Sequence, residues 1–152
     1  MCSYCGCEAQ PHLVELISEH AEIFSIARDL LSVLEDPVPS SIANKTNLLI
    51  DAFGKHAKKE ETGLFRELSL EGSDNGEVSQ LTSEHRDILE TLRHQVSVAD
   101  PDTLRSVIKQ LQNHAELEET DLFPFAWQVL PPESWSRIEQ AYPHHNSVTS
   151  AE

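Results

Sequence analysis

A chain of 152 residues, 39% of them hydrophobic, is long enough to build one domain around a buried core. Its formal net charge of −15 excludes the clustered basic surface that nucleic-acid backbones and anionic membranes require, so the expected partners are small molecules and cations, with no nucleic acid and no membrane. No apolar run approaches the roughly 18 to 20 residues of a bilayer span, and MCSYCGCEAQ at the N-terminus lacks the features of a secretory leader, so the expected address is cytoplasmic.

Residues 1–10 read as a Cys-rich segment. Cys2, Cys5 and Cys7 are the only cysteines, and an odd number crowded into seven residues is not a disulfide framework. The Cys-x-x-Cys-x-Cys spacing admits three readings. It could be an exposed, reduced thiol segment. It could be a redox or electron-delivering element, or a thiol site for zinc or copper(I) with His12 as a fourth ligand.

Helical periodicity dominates residues 11–142. A first helix is predicted from about Pro11 to Glu35, with Leu13, Ile17, His20, Phe24, Ala27 and Leu31 on its inner face. DPVPSS (Asp36 to Ser41) breaks it and offers a serine pair as a cap for the next helix. A second helix is predicted from about Ser41 to Leu70, carrying Leu49, Phe53, His56, Glu60 and Leu64 inward, and EGSDNGE follows as a loop. The third, from about Glu77 to Val98, faces inward through Val78, Leu81, His85, Ile88, Leu92 and Val96. Asp100 caps and Pro101 opens the fourth, whose inner stripe is Leu104, Ile108, Leu111, His114, Glu118 and Leu122; Pro124 is expected to bend or end it nearby. Glu133 to Tyr142 reads as a short extra helix, and residues 143–152 as a flexible tail. The fold class is therefore all-α: an antiparallel up-down-up-down four-helix bundle with a short C-terminal helix.

Each inner stripe contains one histidine: His20, His56, His85 and His114. The second and fourth also carry a glutamate four residues on, Glu60 and Glu118, which places both side chains on one face about 5–6 Å apart. The pattern repeats. HAKKEETGLF (His56 to Phe65) and HAELEETDLF (His114 to Phe123) share seven of ten residues, and SEHAEIF (Ser18 to Phe24) echoes SEHRDIL (Ser83 to Leu89). A lone core histidine is usually just hydrogen-bonded. Four of them in phase with the apolar stripes, together with two carboxylates, form an interior too polar to bury without a cation. Imidazole plus carboxylate suits iron, manganese or zinc. Pseudo-twofold geometry places two ions side by side, with Glu60 and Glu118 positioned to bridge them.

Glu61 is either a seventh ligand or a solvent-facing charge, and Glu22 and Glu119 are weaker candidates. His12, His94, His144 and His145 fall off the inner line or outside the bundle and are not expected at the centre. Ferritin-like Glu-x-x-His pairs are absent, because Ile17, Phe53, Thr82 and Leu111 occupy the positions three before the histidines. His-Glu-x-x-His is absent as well. Phe24, Phe53, Phe65 and Phe123 either wall the pocket or simply pack the core.

The ordered set His20, His56-x-x-x-Glu60, His85, His114-x-x-x-Glu118 resembles the hemerythrin-like, HHE cation-binding family, over about His12 to Phe125. The resemblance implies a non-haem di-iron centre with an oxo or hydroxo bridge. It also implies binding of, or reaction with, dioxygen, hydrogen peroxide or nitric oxide. Oxygen-carrying members have a further histidine where this chain has Leu89, and an aspartate one residue beyond the position of Glu118. With four imidazoles the ions keep open positions, which points to a peroxide-consuming, catalase- or peroxidase-like oxidoreductase supplied by an unknown electron donor. A carrier or sensor of oxygen, nitric oxide or iron is the alternative, and a metal-stabilised structural domain a third.

Overall fold

The computed structural model describes residues 10–74 and 76–143. Among them are seven α-helices and one π-helical turn, with no strand. Helix α1 (Pro11–Val33) starts where the Gln10 side chain accepts the His12 N–H at 3.0 Å and Pro11 takes the first helical position. Helix α2 (Pro39–Thr62) opens on Pro39, two residues earlier than the serine-cap reading placed it, and no side chain caps it. A proline at N1 has the right φ and no N–H to leave unsatisfied, so the serines fall inside the first turn.

The predicted second helix divides. Helix α2 stops at Thr62, and α3 (Leu64–Leu70) restarts after Gly63. A Cβ at Gly63 would stand 2.9 Å from the Lys59 carbonyl oxygen, so this approach of backbone to backbone needs glycine. Helix α4 (Glu77–Val98) ends at Ala99, which is in the left-handed region at φ 53°. Helix α5 (Pro101–Leu117) begins as read, with Asp100 accepting the Thr103 N–H at 3.0 Å.

Pro124 does not end the fourth helix. The chain widens into a π-helical turn over Glu118–Leu122 and continues as α6 (Phe123–Val129). Proline removes one N–H and crowds the carbonyl a turn earlier, and a wider turn just upstream relieves both. The short C-terminal helix is α7 (Pro132–Ala141). It packs on α3, where Arg137 donates through Nε and Nη2 to Oε1 of the buried Glu67 at 3.0 and 2.7 Å.

The long helices contact one another in a ring: α1 with α2, α2 with α4, α4 with α5, and α5 with α1. Two apolar cores fill it. One gathers Leu16, Leu64, Phe65, Leu81, Leu122 and Phe123; the other gathers Ile23, Leu49, Phe53, Ile88, Ile108 and Leu111. The inner face of α1 is turned from the predicted one. Leu16, Ile23 and Leu30 are fully buried, while Ile17, Phe24 and Leu31 lie at its edges. Both sets are apolar, so periodicity alone could not rank them. In α4 the expected Val96 is only partly buried; Gln95 is buried instead, its Oε1 accepting the Asp100 N–H at 2.7 Å. The polar residues His20, His56, Glu60, His85, His114 and Glu118 fall in sequence between the residues of one core and those of the other, within α1 and α4 and where α2 passes into α3 and α5 into the π-helical turn.

Gly63→Ala is expected to lower the free energy of unfolding by about 1–3 kcal/mol, because α2 or α3 must shift to accept the methyl group. Urea denaturation measures it; an unchanged midpoint would show that the break does not depend on glycine.

Candidate metal centre

The polar layer lies where the two cores meet. None of His20, His56, Glu60, His85, His114 and Glu118 is more than 3% exposed. The i, i+4 spacing brings Glu60 under His56, with Nε2 to Oε2 at 3.3 Å, and Glu118 under His114, also at 3.3 Å. Each carboxylate then reaches across the bundle with its other oxygen. Glu60 Oε1 lies 3.1 Å from His85 Nε2, and Glu118 Oε1 lies 3.0 Å from His20 Nε2.

Two four-residue groups result: His20, His56, Glu60 and Glu118, and Glu60, His85, His114 and Glu118. Within each, one donor atom per residue lies within 4.8 Å of all the others. Both glutamates belong to both groups, so each could give one oxygen to each of two cations.

The donor set fits cations on a second ground. His56 Nε2, His85 Nε2, His114 Nε2, both oxygens of Glu60 and Glu118 Oε2 are buried without a hydrogen-bond partner. An unpartnered buried polar atom costs about 1–3 kcal/mol, and more for a carboxylate. These atoms converge on one region, where positive charge gives all of them a partner at once.

The opposite ring nitrogens are all engaged. Each histidine Nδ1 meets a carboxylate on a neighbouring helical segment: His20 with Glu119 at 2.6 Å, His56 with Glu19 at 2.7 Å, His85 with Glu61 at 2.7 Å and His114 with Glu84 at 2.9 Å. A carboxylate can only accept, so whenever a ring is neutral its proton sits on Nδ1 and the Nε2 lone pair points inward. Glu61, its side chain 37% exposed, belongs to neither group and meets His85 Nδ1 from outside, and Glu119 plays the same part for His20. Glu19 and Glu84 were missed by sequence reasoning. Their signal was the glutamate in both Ser-Glu-His triplets, which points not at the adjacent histidine but at the one on the next helix.

The phenylalanines crowd the imidazoles. Phe123 and Phe24 stack on His20 at 5.9 and 6.2 Å between centroids, Phe65 stacks on His85 at 5.5 Å, and Phe53 sets its edge against His85 and His114. His94 is exposed and Glu22 lies on the surface; His12 is buried at the start of α1, outside both groups. Cys2, Cys5, Cys7, His144 and His145 lie outside the described residues.

Without a cation, the layer holds itself together by protonation. Burial pulls the basicity of His56 down but is outweighed by Glu60 and Glu19, leaving it raised to about 10. Burial is likewise outweighed at His114 by Glu118 and Glu84, raising it to about 9. Glu19 is lowered to about 2: burial pushes it up, and His56 and Lys59 together overcome that. Glu118 is held well below the ordinary carboxylate range, the His114 and His20 rings outweighing its burial.

Raised histidines contribute stability below their ordinary 6.5 and lose it as pH climbs through about 9 to 10; the lowered Glu19 contributes above its ordinary 4.5 and loses it as pH falls towards about 2. The metal-free protein is therefore expected to be most stable between about pH 4.5 and 6.5 and to weaken as pH rises to 9 or 10. Cations need unprotonated Nε2, so loading should move the optimum upward and release protons. Thermal unfolding against pH, with and without chelator, measures both; a metal-free Tm that climbs from pH 6.5 to 9 would contradict this account.

Residues 12–126 match the hemerythrin HHE cation binding domain. No curated protein and no solved structure matches the chain. The match spans the ring of helices and every residue of the polar layer. The chain belongs to the hemerythrin HHE cation-binding domain family.

Proposed function

We propose that the chain is a non-haem di-iron protein that binds or reacts with a small oxidant, namely dioxygen, hydrogen peroxide or nitric oxide, with catalase- or peroxidase-like turnover as its activity. The supporting observation is the pair of four-residue groups that share Glu60 and Glu118, with their inward atoms unpartnered. His20 and His56 would hold one ion, His85 and His114 the other, and the two carboxylates would span them. Manganese or zinc would suit the same donors. We also infer that the ring closes as an antiparallel up-down-up-down four-helix bundle. The order of the two cores along α1 and α4 is the reverse of that along α2 into α3 and along α5 into the π-helical turn, which favours this topology.

An iron pair, when bound, supplies two one-electron changes to a small oxidant. The rest falls to the chain. Two imidazoles and two carboxylate oxygens would give each ion four protein donors and would leave positions for solvent or oxidant. Glu19, Glu61, Glu84 and Glu119 fix the tautomer and orientation of the four rings. Phe24, Phe53, Phe65 and Phe123 keep bulk water off them. A groove of about 690 Å³ between α1 and α2 has His56 in its lining and offers a way in from solvent. No helix among the described residues is long and apolar enough to cross a membrane. We read the setting as cytoplasmic, with an unassigned electron donor, and Cys2, Cys5 and Cys7 as a thiol element of redox or metal-binding type.

The burial of all six ligands favours gas-sized molecules and sustains a second reading, a carrier or sensor of oxygen, nitric oxide or iron without turnover. Metal analysis and peroxide assay separate the two. The proposal expects about two irons per chain. It expects catalytic release of oxygen from hydrogen peroxide, reduced at least about tenfold in His114→Ala. Stoichiometric bleaching without turnover would remove the enzyme, and fewer than two ions per chain in protein that remains folded would remove the di-iron centre.

A further inference from the structure

The groove between α1 and α2 is graded along its length. Glu15 meets Lys59 and Glu19 meets His56, so residue numbers rise along α1 as they fall along α2. The end at the polar layer is lined by His56 and by Tyr142, whose hydroxyl is hydrogen-bonded to Thr62 Oγ1. One and two turns further on, the walls are Ile23 with Ala52 and then Ile26 with Leu48. Leu48 is 53% exposed and Ile26 half-buried, so the apolar end stands open to water. The fold does not require this lining: the same positions of α4 and α5 hold Thr91 for Ile26, Ser106 for Leu48 and Gln110 for Ala52.

The charges of the groove cancel. Lys55 pairs with Asp51 at 3.2 Å, and Lys59 with Glu15 and Glu19 at 2.5 and 2.8 Å; Lys58 and Glu22 add one charge of each sign. In a chain of net charge −15 this lining is neutral and offers no net attraction to a phosphate or carboxylate. It fits an uncharged molecule with a polar head and an apolar body. At the head end the His56 ring closes the floor: it is 2% exposed, and its Nδ1 is taken by Glu19. A bulky occupant therefore rests against the outer edge of a ring whose inner nitrogen faces the cation positions. Such an occupant cannot carry atoms to the ions, but an electron need cross only that imidazole.

We propose that this groove binds the electron donor, and that the donor is a neutral alkyl-substituted hydroquinone, its hydroxyl-bearing ring at the His56 end and its alkyl chain over Ile26 and Leu48. This rests on the peroxidase-like reading above, which needs a reductant. A hydroquinone is uncharged in both its reduced and its oxidised form, and it joins a polar head to an apolar body. Flavin and nicotinamide nucleotides carry phosphates that the neutral lining does not match. The exchange balances: the hydroquinone gives up two electrons and two protons and becomes the quinone; hydrogen peroxide takes both, its O–O bond breaks, and two waters form. Ile26, Leu48 and Ala52 bind the donor and touch neither the ions nor the oxidant.

The test begins with calorimetric titration of the full-length metal-free protein with butylhydroquinone under argon. Saturable binding is expected. It should weaken about tenfold in Ile26→Thr with Leu48→Ser, which gives the groove the side chains of the other half and leaves less apolar surface to cover. Ala52→Gln fills the groove instead of stripping it; it should weaken binding to about the same degree, and it tests the inference even where the double variant does not fold. Sodium octanoate, apolar but anionic, should bind at least about tenfold less tightly than the hydroquinone. The iron-loaded, oxidised protein is then mixed anaerobically with butylhydroquinone. Its visible absorption should bleach with about one quinone formed per two irons, and about tenfold more slowly in the variants below saturation. Ascorbate, which needs no apolar site, should reduce all of them alike. Absence of saturable binding, tighter binding of octanoate, binding indifferent to both variants, or binding without reduction would overturn the inference. A protein that takes up no iron would instead remove the centre, as metal analysis shows separately, and the calorimetry would still decide whether the groove holds a hydroquinone.

Discussion

Everything in this fold answers to a layer of charge buried between two hydrocarbon cores. Four imidazoles and two carboxylates occupy a depth at which an ordinary bundle would place leucine. Each helical run enters the layer from one core and leaves into the other, so the layer cannot be pushed to an end or opened to water without exposing apolar residues on one side. Such a layer persists only when its charge is compensated. Protons can do this, as the raised His56 and His114 and the lowered Glu118 indicate, but a proton sits on one nitrogen at a time. The convergence of Nε2 atoms and carboxylate oxygens suits a partner of higher charge and larger reach.

The second requirement is orientation. An imidazole offers a lone pair inward only if its other nitrogen is held, and here every Nδ1 is held by a glutamate from an adjoining segment. Regular helix geometry supplies the inner donors: four residues separate His56 from Glu60 and His114 from Glu118. Irregular geometry follows just beyond. Gly63 interrupts the chain after one His–Glu pair, and the π-helical turn begins at Glu118 in the other. Gly63 stands where the other half has Asp121, and Arg66 where the other half has Pro124, so the same turn is resolved in two ways. Both solutions deliver the following phenylalanine, Phe65 or Phe123, onto a histidine ring.

The clustering of the six inner residues was legible in the sequence because they obey helical phase, which a linear string records. His20, His56, Glu60, His85, His114 and Glu118 all lie on buried faces and come together as their spacing implied. The outer carboxylates were not legible in the same way. Glu19 sits beside His20 in the chain but serves His56, and nothing in the period of α1 says which neighbouring helix it will meet. Helix ends were read less well than helix faces. Pro39 opened α2 before the expected serine cap, and α2 ended at Gly63, where a side chain would meet the Lys59 carbonyl, a close approach that no composition rule anticipates. The exact inner stripe of α1 was ambiguous because the helix carries more apolar residues than its buried face accommodates.

The order in which the outer glutamates serve the rings has a consequence of its own. Glu19 serves α2, Glu61 serves α4, Glu84 serves α5, and Glu119 returns to α1. The circuit runs in one sense and repeats after two steps, so a single helical hairpin facing its own copy would close it just as well. Four distinct helices are a convenience of linkage rather than a need of the chemistry, and two hairpins in one chain can differ where a hairpin and its identical copy could not.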